Sequence, residues 1–323
     1  MKIIHIVDGI DISYNNGEIN KETVFAFDEN NNYIQGFTYN VKDVYSPEIT
    51  SLIINKEKIK VDEKCFLYYA FHYQISFAHY LFQCLPKLGE YLLNYKDCKL
   101  VVPRSTFNKL AIDIFKICNI DNKNILILEN NVVYEFSEIY NHKTNQDMIM
   151  NDNMLYIFNY IRQKIDVKPN DKPIRKIYLK RDGLPNVKYG NNETGIKRQI
   201  PNEQELINYL ISLNFEIITL GDKSIIEKKS LLENAKIIIT QNGANCMNLI
   251  FTNKPEHLII LTNEHLIGTG FYIELFSKLN NSKIQYKILH YPTIRNLDTK
   301  NNTNGEFYIN INEIGNYLKQ INI

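Results

Sequence analysis

Residues 236–251 read KIIITQNGANCMNLIF. The run of β-branched residues before Gly243-Ala244 is that of a buried strand entering a tight turn, and the stretch after it is helix-like. Small residues at such a turn let backbone N–H groups approach a ligand, and a helix N-terminus there favours an anion such as a diphosphate. A turn that needs Gly only for its backbone angles explains the same letters equally well.

The segments around it repeat one alternation. Upstream lie RKIYLKR (175–181), NEQELINYLISL (202–213), FEIITL (215–220) and SIIEKKSLLENA (224–235). Downstream lie HLIIL (257–261), a helical pattern around 270–279 and KIQYKIL (283–289). Short apolar strands alternating with helices predict βαβ units and a parallel sheet. Ligands of such sheets bind beyond the carboxyl ends of the strands, so chemistry is sought in the loops after YLKR, TL and IIIT. FYININ and a helix near 312–321 close the chain.

The first part reads differently. From residue 1 to about 70, short β-type runs (IIHIV, TVFAF, YIQGFTY, SLIIN, KCFLYYA) are separated by Asn- and Gly-rich turns. In ISFAHYLFQCLPKLGEYLLNY, residues Phe77, Leu81, Cys84, Leu85, Leu88 and Leu92 share one helical face, and Pro86 predicts a kink. KLVVP, a helix at about 105–118, NILIL, VVYEFSEIY and a helix near 147–165 follow. The Pro- and Lys-containing VKPNDKP marks the boundary. With 323 residues, two lobes are expected. The reading is α/β: residues 1–168 form a first lobe with a β-rich entry, 169–305 a second, and 306–323 a closing strand and helix.

With 37 Lys+Arg against 36 Asp+Glu, the formal net charge is +1, which supplies no field for nucleic acid. Any anion site must be local. Cys65, Cys84, Cys98, Cys118 and Cys246 form no C-x-x-C pair and read as reduced structural thiols. The start, MKIIHIVDGID, falls short of a secretory h-region, and no apolar run approaches about 18 residues. A cytoplasmic protein, with peripheral contact to the inner face of a membrane, is the expectation. Abundant Asn, Ile and Lys reflect compositional drift, which lowers the weight of any single Asn.

Lys180 and Arg181 end one strand and Arg198 precedes a helix, so three cations can converge on phosphate oxygens. A solvated basic loop is the bland alternative, and it fits Lys180 best. Asn202 with Glu205 three residues on is a capping-box pattern. Glu227, Lys228 and Lys229 read as the polar face of a surface helix. His79 is a candidate general base, whereas His72 reads as a satisfied core or interface histidine. No D-x-D, H-E-x-x-H, G-x-S-x-G, P-loop or G-x-G-x-x-G pattern is present, which removes the common metal, hydrolase, NTPase and dinucleotide readings.

The order FHYQISFAHYLFQCLPKL, KIYLKRDG, KRQIPNEQELINYLISLNFEIITL, SIIEKKSLLENAKIIITQNGANCMNLIF resembles glycosyltransferase family 61, of the capsular polysaccharide biosynthesis type. The matching positions are His79, Leu85 and Pro86; Arg181; Arg198, Asn202, Glu203 and Leu206; then Ala235, Gly243, Ala244, Asn248 and Phe251. Two positions depart from the family pattern: Asn242 where members often have His, and Gln83 where they often have an acid. The resemblance implies two Rossmann-like lobes of GT-B type and metal-independent inverting transfer. It implies a nucleotide-sugar donor, UDP-linked, on the second lobe. A glycan, glycolipid or glycoprotein acceptor would face the first. His79 would be the base, with Asp182 the next candidate. Arg181 and Arg198 would stabilise the departing diphosphate, Gly243-Ala244 would cradle it, and Lys180, Asn242 and Asn248 would complete its site. An inactive glycan- or partner-binding member of the fold, and a nucleotide-sugar epimerase, are the alternatives.

Overall fold

The computed structural model describes residues 2–10, 23–30, 32, 34, 56–69, 77–104, 106–130, 132–141, 150–166, 175–181, 199–221, 223–252, 255–265, 269–280, 284–296 and 305–323. SLIIN, most of YIQGFTY, His72, Asp182 and Arg198 lie outside them. The chain divides into two compact units, residues 1–164 and 165–323.

The first unit runs β1 (Lys2–Ile10), β2 (Thr23–Phe27), β3 (Lys58–Leu67), one helical turn α1 (Phe77–His79), a π-helical stretch Tyr80–Cys84, α2 (Leu85–Asn94), β4 (Lys99–Pro103), α3 (Lys109–Ile117), β5 (Ile125–Leu128), β6 (Val133–Tyr140) and α4 (Asp152–Lys164). Its six strands form one sheet in the order β2-β1-β6-β3-β4-β5. β1 runs antiparallel to β2 and β6, whereas β6, β3, β4 and β5 are mutually parallel. The β-rich entry therefore adds an antiparallel edge to a parallel sheet. Cys65, Leu67, Val101, Leu128 and Phe136 pack into its core.

The helix in which the sequence predicts a kink at Pro86 changes its hydrogen-bond pattern just before that residue. Pro86 has no N–H to give the carbonyl four residues back, and its ring crowds that carbonyl. The turn before it widens into the π-helix Tyr80–Cys84, all of it buried. Beyond it α2 packs on α4 at Gly89, where an added Cβ would lie 2.6 Å from the carbonyl oxygen of Asn153. Only glycine permits that approach.

The second unit contains β7 (Arg175–Leu179), α5 (Glu203–Ser212), β8 (Glu216–Ile218), α6 (Ile225–Leu232), β9 (Ala235–Gln241), a 3-10 helix Ala244–Phe251, β10 (His257–Asn263), α7 (Thr269–Asn280), β11 (Gln285–Tyr291), β12 (Thr293–Asn296), β13 (Gly305–Phe307) and α8 (Ile311–Gln320). Five strands form a wholly parallel sheet, β11-β10-β9-β7-β8. On one face Tyr178, Ile237, Ile239, Ile259 and Leu261 pack with Leu206 and Leu210 of α5 and Ile314 and Leu318 of α8. The alternate residues Ile177, Ile238, Leu258 and Ile260 are equally buried, so the sheet is covered on both faces. Residues 305–323 thus belong to this core.

At the amino end of β7 the buried Arg175 bonds both oxygens of Glu216 (3.1 and 2.7 Å) and the Glu233 carbonyl (2.8 Å). The reading of Glu227, Lys228 and Lys229 as the polar face of a surface helix holds for the exposed Glu227 and is corrected for the two lysines. Glu227 completes a capping box with Ser224, and Lys228 and Lys229 are buried. Lys229 Nζ donates to the Ile165 carbonyl at 2.6 Å. Asn202 is a second correction. It stands at the start of α5 but makes no cap hydrogen bond, its amide being committed elsewhere.

Candidate functional site

Strand order decides which loops meet in the second unit. From β7 the chain crosses through α5 to β8 at one edge, and from β9 it crosses to β10 on the other side. Adjacent parallel strands whose connections diverge leave a crevice beyond their carboxyl ends. Leu179 lies beside Thr240 in register, so Lys180-Arg181 and Asn242-Gly243-Ala244 emerge side by side there.

Gly243 has φ 128° and ψ −155°, a conformation essentially closed to residues with a Cβ. The 3-10 helix starts at Ala244 directly after it. Asn245 spans the two strand ends, donating from Nδ2 to the Leu179 carbonyl (3.1 Å) and to Thr240 Oγ1 (3.4 Å). Asn248 braces Asn245 in turn, its Nδ2 lying 3.1 Å from both the carbonyl and Oδ1 of Asn245. Cys246 donates its thiol to the Gln241 carbonyl at 3.6 Å. Asn245 was not singled out in the sequence, because in an Asn-rich chain only strand adjacency marks it.

Asn242 is 2% exposed. Its N–H extends the ladder to the Leu261 carbonyl (2.8 Å), and its amide donates to Thr262 Oγ1 (3.4 Å). Lys180 donates its N–H to the Ile218 carbonyl, while its side chain, 38% exposed, brings the ammonium to 3.9 Å from Glu203. Glu203 also accepts from the buried Tyr178 hydroxyl at 2.8 Å. Burial and then the Glu203 charge push that hydroxyl well above its usual range. Arg181 is partly buried.

A second cluster occupies the carboxyl ends of β3 and β6 in the first unit, where Phe66 pairs with Tyr140. Tyr68 donates to Tyr80 across 2.7 Å, and the buried Lys87 donates to Asn141 Oδ1 at 3.1 Å. Burial lowers the Lys87 ammonium to about 8 and pushes the Cys84 thiol up to about 12. Gln83 is buried within the π-helix. His79 ends α1, and its side chain lies outside the described atoms. Lys87, like Asn245, carried no signal by itself in the sequence.

Of the sequence-predicted residues, then, Lys180, Arg181, Asn242, Gly243 and Ala244 meet at the β7–β9 ends with Asn248 behind them. Among the described residues no three His, Cys, Asp or Glu side chains are grouped as metal ligands, and no helix is long and apolar enough to cross a membrane. The sequence profile of the family Glycosyltransferase 61 matches residues 77–259, more than half of the chain. Among curated proteins, none matches the chain.

Proposed function

The chain belongs to glycosyltransferase family 61, and from that premise we propose that it transfers a sugar from a nucleotide-sugar donor, UDP-linked, to a hydroxyl of a glycan or glycoconjugate, with inversion and without a metal. The observation that carries the donor half of this reading is the β7–β9 crevice. Two cations, Lys180 and Arg181, leave one strand beside a Gly-only turn whose backbone begins a helix. Cations and N–H groups at that position suit a diphosphate.

In this reading the second unit binds the donor and the first faces the acceptor, in a GT-B arrangement. The acceptor oxygen attacks the anomeric carbon as the bond to the diphosphate breaks. His79 removes the hydroxyl proton in the same step. Arg181, Arg198 and the N–H groups after Gly243 receive the charge that develops on the leaving diphosphate. Asn245 ties the two strand ends together, and Asn248, which braces it, completes the diphosphate site with Lys180 and Asn242.

The test is nucleotide release from UDP-, GDP-, CMP- and dTDP-sugars with a glycan acceptor, in EDTA. Acceptor-dependent release that survives chelation supports the reading, and release that disappears on chelation overturns its metal-free part. The buried neutral Gln83 motivates a second reading, an inactive glycan-binding member of the fold. Glycan binding with no release from any donor would favour it, and sugar interconversion without acceptor would indicate an epimerase.

A further inference from the structure

The asparagine relay at the β7–β9 ends has a direction, and a backbone group sets it. The Leu179 carbonyl can only accept, so the Asn245 amide turns its Nδ2 there (3.1 Å). Asn245 Oδ1 then faces Asn248 together with the Asn245 carbonyl, and two acceptors require a donor opposite. That donor is Asn248 Nδ2, 3.1 Å from each. Reversing either amide would set oxygen against oxygen. The relay therefore ends on Asn248 Oδ1, an acceptor.

Asn248 is 4% exposed, its Oδ1 is buried, and among the described residues no donor reaches that oxygen. Buried polar atoms are nearly always paired, so an exception marks a place where a ligand or a water supplies the proton. A phosphate of the donor does not supply it. The phosphates of a nucleotide sugar are ionised diesters whose oxygens only accept, and what suits them here are the donors: Lys180, Arg181 and the N–H groups after Gly243. An acceptor among those donors calls for the other chemistry that a nucleotide sugar carries beside its diphosphate, a hydroxyl.

We infer that Asn248 is a specificity-determining residue of the donor site: its Oδ1 accepts a hydrogen bond from a hydroxyl flanking the diphosphate, on the ribose or on the transferred sugar. The inference rests on the donor-site reading above and narrows the part that Asn248 plays in it. The crevice is divided by polarity, with donors for the phosphates and an acceptor for the hydroxyl that distinguishes the donor from a bare diphosphate.

The experiment is calorimetric titration of the full chain and its Asn248→Ala and Asn248→Leu variants in EDTA, with thermal unfolding followed in parallel. The probes are UDP, its 2′-deoxy and 3′-deoxy forms, UDP-glucose, UDP-N-acetylglucosamine and inorganic diphosphate. If the hydroxyl is the ribose's, one deoxy form binds the unaltered chain roughly tenfold more weakly than UDP does. The variants then bind UDP more weakly by the same factor and no longer distinguish the two, as coupled groups require. If it is the sugar's, the variants lose roughly tenfold on a UDP-sugar and nothing on UDP. In both cases their affinity for inorganic diphosphate is that of the unaltered chain. An equal loss on inorganic diphosphate and on UDP would make Asn248 a brace alone and overturns the inference. Unchanged affinities throughout, the result if a buried water serves Oδ1, overturn it too, as does a loss on UDP that persists undiminished with both deoxy forms. Should neither variant fold, the unaltered chain decides: equal affinity for UDP and both deoxy forms, with no gain from either sugar, overturns the inference while the donor-site reading stands. No binding of UDP by the unaltered chain removes the donor-site reading and the inference with it.

Discussion

The two units each gather a lysine at the carboxyl ends of adjacent parallel strands, and they treat it in opposite ways. Lys87, near the ends of β3 and β6, is buried against Asn141 with its ammonium lowered to about 8. Lys180, at the end of β7, is 38% exposed and only loosely paired with Glu203. A lysine sealed from water is held in one place at a cost in charge solvation, whereas a half-exposed one stays in water and free to meet an anion. Position at a strand end thus fixes where a cation stands, and burial decides what it can do.

The comparison is sharpened most by separating the two ends kinetically. If the first unit supplies the base, His79→Ala lowers turnover by about a hundred- to ten-thousandfold with donor affinity nearly unchanged. Stopped-assay rates set beside UDP titration check this, and wild-type turnover would transfer the role of base to another residue, with Asp182 first in line.

Lys87→Met comes next. The Lys87 pKa is depressed on folding from 10.5 to about 8, so the folded state releases its proton first. Between those values the unfolded state binds more protons, and the contribution of Lys87 to stability rises with pH. Its charged form at pH 7 carries a penalty that Met lacks. Urea unfolding of both proteins at pH 7 and pH 10 should find the wild type gaining about 2–3 kcal/mol on the variant over that interval. A pH-independent difference would mean that Lys87 titrates like a surface lysine and that the comparison fails.

Gly243→Ala tests the other end. Placing a Cβ at φ 128° should cost about 1–3 kcal/mol of stability and weaken UDP binding. Unchanged unfolding would show that the turn relaxes to an ordinary conformation. The smallest effect belongs to Lys180→Met. Its long, partly exposed ion pair predicts a stability change within about 0.5 kcal/mol, against the pH-dependent shift at Lys87. A loss of several kcal/mol would place the two lysines in one class.

Two helix starts show how far local pattern reaches. Asn202 and Ser224 each precede a Glu by three residues, and the same rule predicts a capping box at both. Ser224 forms it, with Glu227 returning the bond. Asn202 abandons it for Ile309, a partner a hundred residues on whose position no local pattern contains. In the charged run Glu227-Lys228-Lys229 the acid is exposed as expected, whereas the two lysines are buried. A lysine can be buried when a backbone carbonyl, here that of Ile165 for Lys229, receives its ammonium.

The candidate site was legible to the same depth. The loops after YLKR and IIIT, and the Gly243 turn, were found from period and composition. Asn245, which ties Leu179 to Thr240, was not, because its meaning comes from the adjacency of β7 and β9.

By itself the sequence determined the kind and succession of elements: hydrophobic period separates the strands from the helices, and Gly243 announces a turn that few other residues can make. Only the tertiary structure decided that β9 lies against β7, that the first unit's sheet carries an antiparallel edge, and that a π-helix precedes Pro86. Period and turn chemistry act between residues a few positions apart, whereas strand order, burial of charge and the partner of an amide are set by contacts between segments distant in the chain. Those contacts are fixed when the whole core packs, and no short stretch of sequence carries them.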